Sequence, residues 1–115
     1  MYPLTLHRNL TSDRWQRLSR AQQVLMIANE LHRAGNWIAK DAPDEANACY
    51  ERALELCDLT GEDRRWRSNR LRELRRFREL LAGLYSSEKK DLRSNEHLYR
   101  GLIQLDPEAW NLLKD

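Results

Sequence analysis

Apolar residues recur at three- and four-residue steps along most of this chain, the spacing that places side chains on one face of an α-helix. Four stretches carry this pattern for long enough to predict main helices that pack antiparallel. The predicted main helices lie at about 12–34, 42–58, 62–87 and 94–105. The Asp106-Pro107 pair then opens a short C-terminal helix, because proline is tolerated in a first helical turn. The pattern therefore predicts an all-α fold.

Capping residues set the predicted ends of these helices. Thr11 or Ser12 offers an N-cap for the first helix, and Ser19 with Gln22 offers a second start as a capping box. Gly35 is predicted to end this helix in the left-handed conformation. The other predicted N-caps are Asp41, with Pro43 in the first turn after it, Thr60, and either Ser94 or Asn95.

Two glycines fall inside helical patterns, where each costs about 1 kcal/mol relative to alanine. These are Gly83 in the third predicted helix and Gly101 in the fourth. A close crossing of the two helices at these glycines explains why they are tolerated, and a local kink is the alternative.

The composition fits one globular domain. The chain has 115 residues, of which 41% are hydrophobic and 33% charged, with four glycines and three prolines. Residues 11–115 are predicted to form a single helical domain. Residues 1–10 are predicted to form an N-terminal arm, which either packs on the domain through alternating apolar side chains or extends as a free tail.

The sequence predicts a cytoplasmic protein that does not enter a membrane. No apolar stretch approaches the roughly 20 residues that a membrane span needs, and the N-terminus lacks the pattern of a secretory signal. Cys49 and Cys57 stand too far apart on one predicted helix to bond to each other. We expect both to be buried free thiols, and an intermolecular disulfide or a redox role is the alternative.

A helical-hairpin pattern with small residues at the helix contact runs through residues 24–56. Its positions are Val24, Ile27, Ala28, Leu31, Gly35, Asn36, Trp37, Ala46, Tyr50 and Ala53. The pattern resembles a repeat of the tetratricopeptide family, and residues 81–107 resemble it more faintly. The chain departs from the family by about six extra residues at 38–43 and by Asp58 in place of proline. The resemblance implies paired antiparallel helices, and a closed four-helix bundle is the alternative.

The motifs of common catalytic and metal sites are absent from the sequence. There is no glycine-rich phosphate loop, nucleophile elbow, zinc ligand set or calcium loop. The three histidines lie far apart, and neither Glu30 nor Glu96 has the spacing to histidine that di-iron bundles use. We therefore expect no metal, no cofactor and no catalytic activity.

Arg93 and His97 resemble the arginine-histidine pair of the HEPN family, whose small helical bundles include nucleases and partners of nucleotidyltransferases. The family separates the two residues by four to six positions, whereas three stand between them here. The resemblance therefore implies a non-catalytic HEPN-like partner of a nucleotidyltransferase.

Residues 64–78 contain eight arginines, the strongest charge feature of the chain. A helical wheel places Arg65, Arg72, Arg75 and Arg76 opposite the apolar stripe, as a predicted basic ridge. Guanidinium groups bind carboxylates and phosphates, so the ridge suits an acidic protein or a nucleic acid. The formal net charge is only +2, and a purely solvated ridge is the third interpretation.

Three further residues carry specific predictions. The wheel places Arg70 within the apolar stripe, where it needs a carboxylate partner as a buried ion pair or an interface residue. Trp66 is predicted to be a core residue, with stacking on a nucleic-acid base as the alternative. Trp37 is predicted to lie in a turn at the surface as an interaction anchor.

These features predict a small helical adaptor domain that binds a protein, including a second copy of itself, through the third helix and the Trp37 turn. The alternatives are a basic helical bundle that contacts RNA or DNA and the non-catalytic HEPN-like partner. Salt dependence distinguishes the protein-binding adaptor from the nucleic-acid-binding bundle, because counterion release makes nucleic-acid binding weaken steeply as salt increases.

Overall fold

The computed structural model describes residues 10–114, which fold into helices joined by short connections. The helices are α1 (Ser12–Gln16), α2 (Arg20–Ala39), α3 (Pro43–Gly61), α4 (Ser68–Ser86), α5 (Leu92–Ile103) and α6 (Pro107–Lys114). The all-α prediction is confirmed for this part of the chain. The predicted arm lies outside the described residues except for Leu10, which packs partly buried against the core.

The first predicted helix is two helices, and both predicted starts are used. The Thr11 side chain accepts a hydrogen bond from the Arg14 amide and caps α1. Ser19 and Gln22 form the capping box of α2, with the Gln22 amide 3.0 Å from the Ser19 hydroxyl and the Ser19 amide 2.8 Å from the Gln22 side-chain oxygen.

Gly35 does not end α2, so that prediction is wrong. The helix continues for four more residues, and Asp41 takes the left-handed conformation with a φ of 58°. The Asp41 amide donates to the Ile38 carbonyl at 3.0 Å, and the Ala42 amide donates to the Trp37 carbonyl at 2.9 Å. This pair of bonds is a Schellman motif, which satisfies the carbonyls at the end of α2 without a glycine.

Three predicted N-caps are also wrong, although Pro43 does occupy the first turn of α3. Ala42, and not Asp41, precedes α3. Thr60 lies inside α3, where its hydroxyl donates to the Leu56 carbonyl at 2.7 Å, so it is not free to cap α4. Asp91 caps α5 by accepting bonds from the Arg93 and Ser94 amides, one turn before the predicted start.

The core lies inside a ring of four helices, in which α2 contacts α3, α3 contacts α4, α4 contacts α5, and α5 contacts α2. The short α6 packs on α2 and α5, and α1 packs on α3. The largest fully buried apolar side chains are Trp15, Val24, Ile27, Leu31, Cys49, Tyr50, Leu56, Leu81 and Leu102. Glu55 of α3 is also buried.

Gly83 and Gly101 do not mark a close crossing, because a Cβ at either position meets no atom within 4 Å. The close approach is at Gly35 instead. There a Cβ would lie 3.1 Å from the Asn95 side-chain nitrogen and 3.6 Å from a Leu92 methyl carbon. A small residue in α2 thus lets α5 pack closely against it.

Gly83→Ala and Gly101→Ala are each expected to raise the free energy of unfolding by about 0.5 to 1 kcal/mol, since alanine favours helix and neither site is crowded. Urea denaturation of each variant measures the change. Gly35→Ala is the matched control, and we expect no gain there because Asn95 must move. Destabilisation by either of the first two changes would contradict the open space around those glycines.

No helix in the described part of the chain is both long enough and apolar enough to cross a membrane.

Candidate partner-binding surface

The connection between α3 and α4 is fixed by a polar cluster, here called the polar clamp and defined as Trp15, Gln23, Asp63, Arg65 and Trp66, of which all but Arg65 are buried. The Gln23 amide nitrogen donates to the Trp15 carbonyl at 3.0 Å and to the Asp63 carboxylate at 2.9 Å. The Trp66 indole N–H donates to the Gln23 side-chain oxygen at 2.8 Å. Residues 62–67 therefore stay outside the helix, and α4 begins at Ser68 instead of the predicted residue 62.

Arg65 belongs to this polar clamp and not to a basic ridge. Its guanidinium lies 2.7 Å from the Asp63 carboxylate, and it donates to the carbonyls of Gln16 and Leu18 at 2.9 and 2.6 Å. The wheel grouped Arg65 with the other ridge residues because it assumed a helix at this position. Arg65 instead joins the α1–α2 connection to the segment before α4.

Trp66 is 2% exposed, so its predicted place in the core is confirmed and its ring has no face open to a base. It lies before α4 and not in the helix. Trp15 is also buried, and its indole N–H donates to the Thr60 hydroxyl at 2.9 Å. Both indoles thus have the partner that a buried N–H requires.

Asp63 makes the polar clamp sensitive to acid. Burial alone raises the pKa of Asp63, but hydrogen bonds from Arg65 and Gln23 outweigh it and lower the pKa to about 2, from an ordinary 3.8. A carboxyl group with a lowered pKa in the folded state stabilises the fold above its unfolded pKa. That stabilisation disappears as the pH falls from about 4 through about 2.

Because of Asp63, wild type is expected to lose about 2 kcal/mol of stability as the pH falls from 4 to 2, and Asp63→Asn is expected not to show this loss. Denaturant midpoints measured across this pH range for both proteins give the difference. Asp44→Asn, which neutralises an exposed carboxylate on α3, is the matched control. Equal loss of stability in acid for wild type and Asp63→Asn would rule out this role for Asp63.

The remaining ridge residues, Arg72, Arg75 and Arg76, lie on the outer side of α4 and are all exposed. They surround one surface depression of about 430 Å³, whose other lining residues include Leu71 and Glu79. Within residues 10–114, no carboxylate forms an ion pair with any of the three. We call Arg72, Arg75 and Arg76 the arginine face.

Arg70 is exposed, so the prediction that it forms a buried ion pair is wrong, while its alternative role as an interface residue stays a prediction. The wheel direction of Arg70 matches that of Phe77 and Leu81, which are buried. The difference arises because α5 has 12 residues and α4 has 19, about 18 Å against 28 Å of helix. The shorter α5 leaves the first turns of α4 uncovered.

Arg78 is the second arginine of this stretch that serves the fold. Its guanidinium pairs with the Asp58 carboxylate, with one nitrogen–oxygen distance of 3.0 Å, and so connects α4 to α3. Apart from Arg65 and Arg78, no arginine between 64 and 78 pairs with a carboxylate among the described residues. The unpaired positions are Arg64, Arg67, Arg70, Arg72, Arg75 and Arg76.

Trp37 lies at the surface as predicted, with 37% of the residue exposed and the Lys40 ammonium 5.2 Å from its ring centre. It stands in the last turn of α2 and not in an interhelical turn. The polar clamp and the start of α4 adjoin the other end of α2, about 25 Å of helix away. The structure therefore does not bring Trp37 and the arginine face together.

Arg93 and His97 stand one turn apart on α5 and line the same surface depression. The other residues of this depression are Glu96 and Arg100, which pair with each other at 2.9 Å. The helical repeat alone explains why they are neighbours, because residues four apart share a face. The HEPN-like interpretation stays a prediction.

Sequence reasoning missed an apolar surface next to the arginines. Leu80 is 55% exposed and was absent from the predicted apolar stripe of the third helix. It lies with Leu84, Arg93, Ser94, His97 and Leu98 in a depression of about 420 Å³, which we call the α4–α5 groove. The four-residue step from Arg76 to Leu80 was the available signal, since it places both on one side of α4.

The cysteines are buried and free, as predicted. Burial raises the pKa of both thiols, and at Cys49 the nearby Arg52 guanidinium, 3.2 Å from the sulfur, opposes that effect. Both thiols are therefore held in the unreactive protonated form.

Among residues 10–114, no three His, Cys, Asp or Glu side chains lie close enough together to hold a metal ion. In comparisons with known proteins, the chain matches no protein-family model, no curated protein and no solved structure.

Proposed function

We propose that this chain is an adaptor domain, without catalytic activity of its own, that binds an acidic segment of another protein through the arginine face. One observation carries the proposal: Arg72, Arg75 and Arg76 surround a single depression and pair with no carboxylate of the described chain. By contrast, Arg65 and Arg78 of the same stretch are paired with carboxylates and hold the fold together.

Electrostatics favours an anionic ligand at this depression. Three guanidinium groups within two turns of one helix repel one another, and Glu79 is the one acidic residue among those that line the space. A carboxylate brought between them gains paired, charge-assisted hydrogen bonds, because the guanidinium fork matches its two oxygens. Solvated arginines spaced around the whole helix would lack this convergence.

Two observations favour a protein over a nucleic acid. The net charge of the chain is +2, whereas domains that bind nucleic acid by charge are more basic. The exposed Leu80 continues the line of Arg72 and Arg76 along α4, and a phosphate backbone gains nothing from an apolar side chain. RNA or DNA binding through the arginine face is the second candidate, because phosphates also suit guanidinium forks.

We also infer that α2, α3, α4 and α5 form a closed antiparallel bundle that holds α4 rigidly. The contact of α2 with α5 supports this arrangement, because it closes the ring that α3 and α4 begin. The tetratricopeptide relationship stays a prediction. Either arrangement leaves the outer side of α4 open.

A displayed library of random peptides of about 16 residues, selected on the intact chain, tests the proposed function. We expect the selected peptides to be rich in Asp and Glu. We expect the triple variant Arg72→Gln, Arg75→Gln, Arg76→Gln to bind them at least about tenfold more weakly. The control triple Arg17→Gln, Arg33→Gln, Lys89→Gln removes the same charge elsewhere and should bind like wild type.

Selected peptides without excess acid, or equal losses in the two triple variants, would refute the proposal. A random single-stranded RNA of about 20 nucleotides, measured in parallel over a salt series, tests the second candidate. RNA binding that is tighter than peptide binding, steeply salt-dependent and abolished by the arginine-face triple would establish nucleic acid as the ligand.

A further inference from the structure

The α4–α5 groove is an apolar depression with a cationic rim. Leu80, Leu84 and Leu98 form its apolar lining, and Arg93 and His97 stand on the α5 side. No carboxylate is among the residues that line the groove within the described chain; Glu96 lies in an adjoining depression that shares Arg93 and His97 with the groove, and there it pairs with Arg100. A ligand in this groove therefore meets apolar contact and positive charge together.

The groove and the arginine face adjoin along α4. Arg72, Arg76, Leu80 and Leu84 follow each other at four-residue steps, so successive members are neighbours in a line that winds by about 120° around the helix. The first half of the line is cationic and the second half is apolar. The line spans 12 residues, or about 18 Å, which is the length of a helix of roughly three turns.

Leu80 is exposed because other side chains of α4 already occupy the side of the helix that faces the core. Leu74, Phe77 and Leu81 already fill the buried side of α4, and Leu80 lies beside that stripe with 55% of the residue exposed. Polar residues of α5, including Ser94 and His97, face the groove and leave Leu80 uncovered, whereas Leu84 is partly buried and Leu98 is buried. Leu80 therefore contributes less to the core than to an open surface.

We propose that the acidic partner is an amphipathic helix whose apolar side chains occupy the α4–α5 groove and whose carboxylates bind Arg72 and Arg76. The inference rests on the proposed function and adds the form of the partner to it. Charge complementarity selects this occupant: cations lie at the arginine face and at Arg93, so the partner carries acid on both sides of its apolar stripe.

Two synthetic helical peptides of about 16 residues test the inference by fluorescence anisotropy with the intact chain. Both carry the same number of glutamates; one has leucines at four-residue steps and the other has alanines there. We expect the leucine peptide to bind at least about tenfold more tightly. We expect Leu80→Asn to abolish this difference.

Met26→Asn is the matched control, because Met26 is an exposed apolar residue, 44% accessible, on α2. It should leave the leucine preference intact. His97→Glu is a second variant, which tests the groove even if Leu80→Asn does not fold. The added carboxylate in the groove should weaken both acidic peptides.

Equal binding of the two peptides to wild type would overturn the inference, as would equal effects of Leu80→Asn and Met26→Asn. If the two peptides bind wild type equally and the arginine-face triple variant binds neither, the groove proposal fails and the proposed function stands. If neither peptide binds, both fail. Concentration-dependent dimers in sedimentation that Leu80→Asn dissociates would show that a second copy occupies the groove, and this too overturns the inference.

Discussion

Replacing Gln23 with leucine is expected to lower the free energy of unfolding by about 3 kcal/mol. Gln23 is fully buried at the centre of the polar clamp. Leucine has a similar volume but provides neither a donor nor an acceptor, so the Trp66 indole N–H loses its acceptor, and the Trp15 carbonyl and the Asp63 carboxylate each lose one donor. A buried polar group without a partner costs about 1–3 kcal/mol.

Chemical denaturation monitored by tryptophan fluorescence measures this change, since two of the affected groups belong to tryptophans. Asn29→Leu is the matched control, an exposed polar residue on the same helix, and should change stability by less than about 0.5 kcal/mol. Gln23→Leu with stability equal to that control would mean that the polar clamp does not hold the start of α4. The placement of the arginine face would then lose its explanation.

Asn95→Ala is expected to destabilise the fold by about 2 to 4 kcal/mol. Asn95 is buried on α5 and connects three helices. Its oxygen accepts a 2.7 Å bond from the Tyr50 hydroxyl, and its nitrogen donates at 3.0 Å to the Leu31 carbonyl. Alanine leaves the Tyr50 hydroxyl without its acceptor, removes the second donor to the Leu31 carbonyl and opens a cavity against Gly35.

A double-mutant cycle with Tyr50→Phe isolates the hydrogen bond between α3 and α5. We expect a coupling energy of about 1 kcal/mol between Asn95→Ala and Tyr50→Phe. Burial, followed by the nearby Cys49 and Asp91, raises the pKa of Tyr50 to about 12, so the phenol remains protonated throughout the measurement. Additive effects of the two substitutions would contradict the bond.

The helices themselves were predictable because their apolar stripes are long and regular. Two of the boundaries that failed share one physical cause, which is a polar side chain with a tertiary partner. Thr60 was expected to cap a helix, yet it accepts the Trp15 indole N–H. Asn95 was expected near a helix start, yet it is buried between helices. A capping pattern reports only local hydrogen bonds, so it misassigns residues whose partners are distant in sequence.

Three of the four residues of the predicted basic ridge are placed correctly from the sequence. Arg72, Arg75 and Arg76 lie inside a regular helix, where the wheel is reliable. Arg65 lies before the helix begins, and Arg70 lies where α5 is too short to cover it. The position of α4's first residue and the length of α5 depend on tertiary packing, which a single-helix wheel does not contain.

Leu80 shows a third kind of limit. A helical wheel either assigns a leucine to the apolar stripe that faces the core or leaves it outside that stripe. Neither assignment predicts an apolar groove on the surface. The groove exists because two helices meet there, with Leu80 and Leu84 on the α4 wall and a mainly polar α5 wall that also contains Leu98. The spacing of Arg72, Arg76 and Leu80 was visible in the sequence. The exposure of Leu80 was not, because it depends on where α5 packs.

The side-chain Nε–H signals of the arginines test the central claim most directly, since they report which guanidinium groups bind an acidic peptide. In a titration of the isotope-labelled chain with a selected peptide, we predict that the signals of Arg72, Arg75 and Arg76 shift together. The signals of Arg65 and Arg78, already paired within the fold, should remain in place. Shifts confined to arginines outside α4, or no shift at the arginine face when the peptide is bound, would contradict the account.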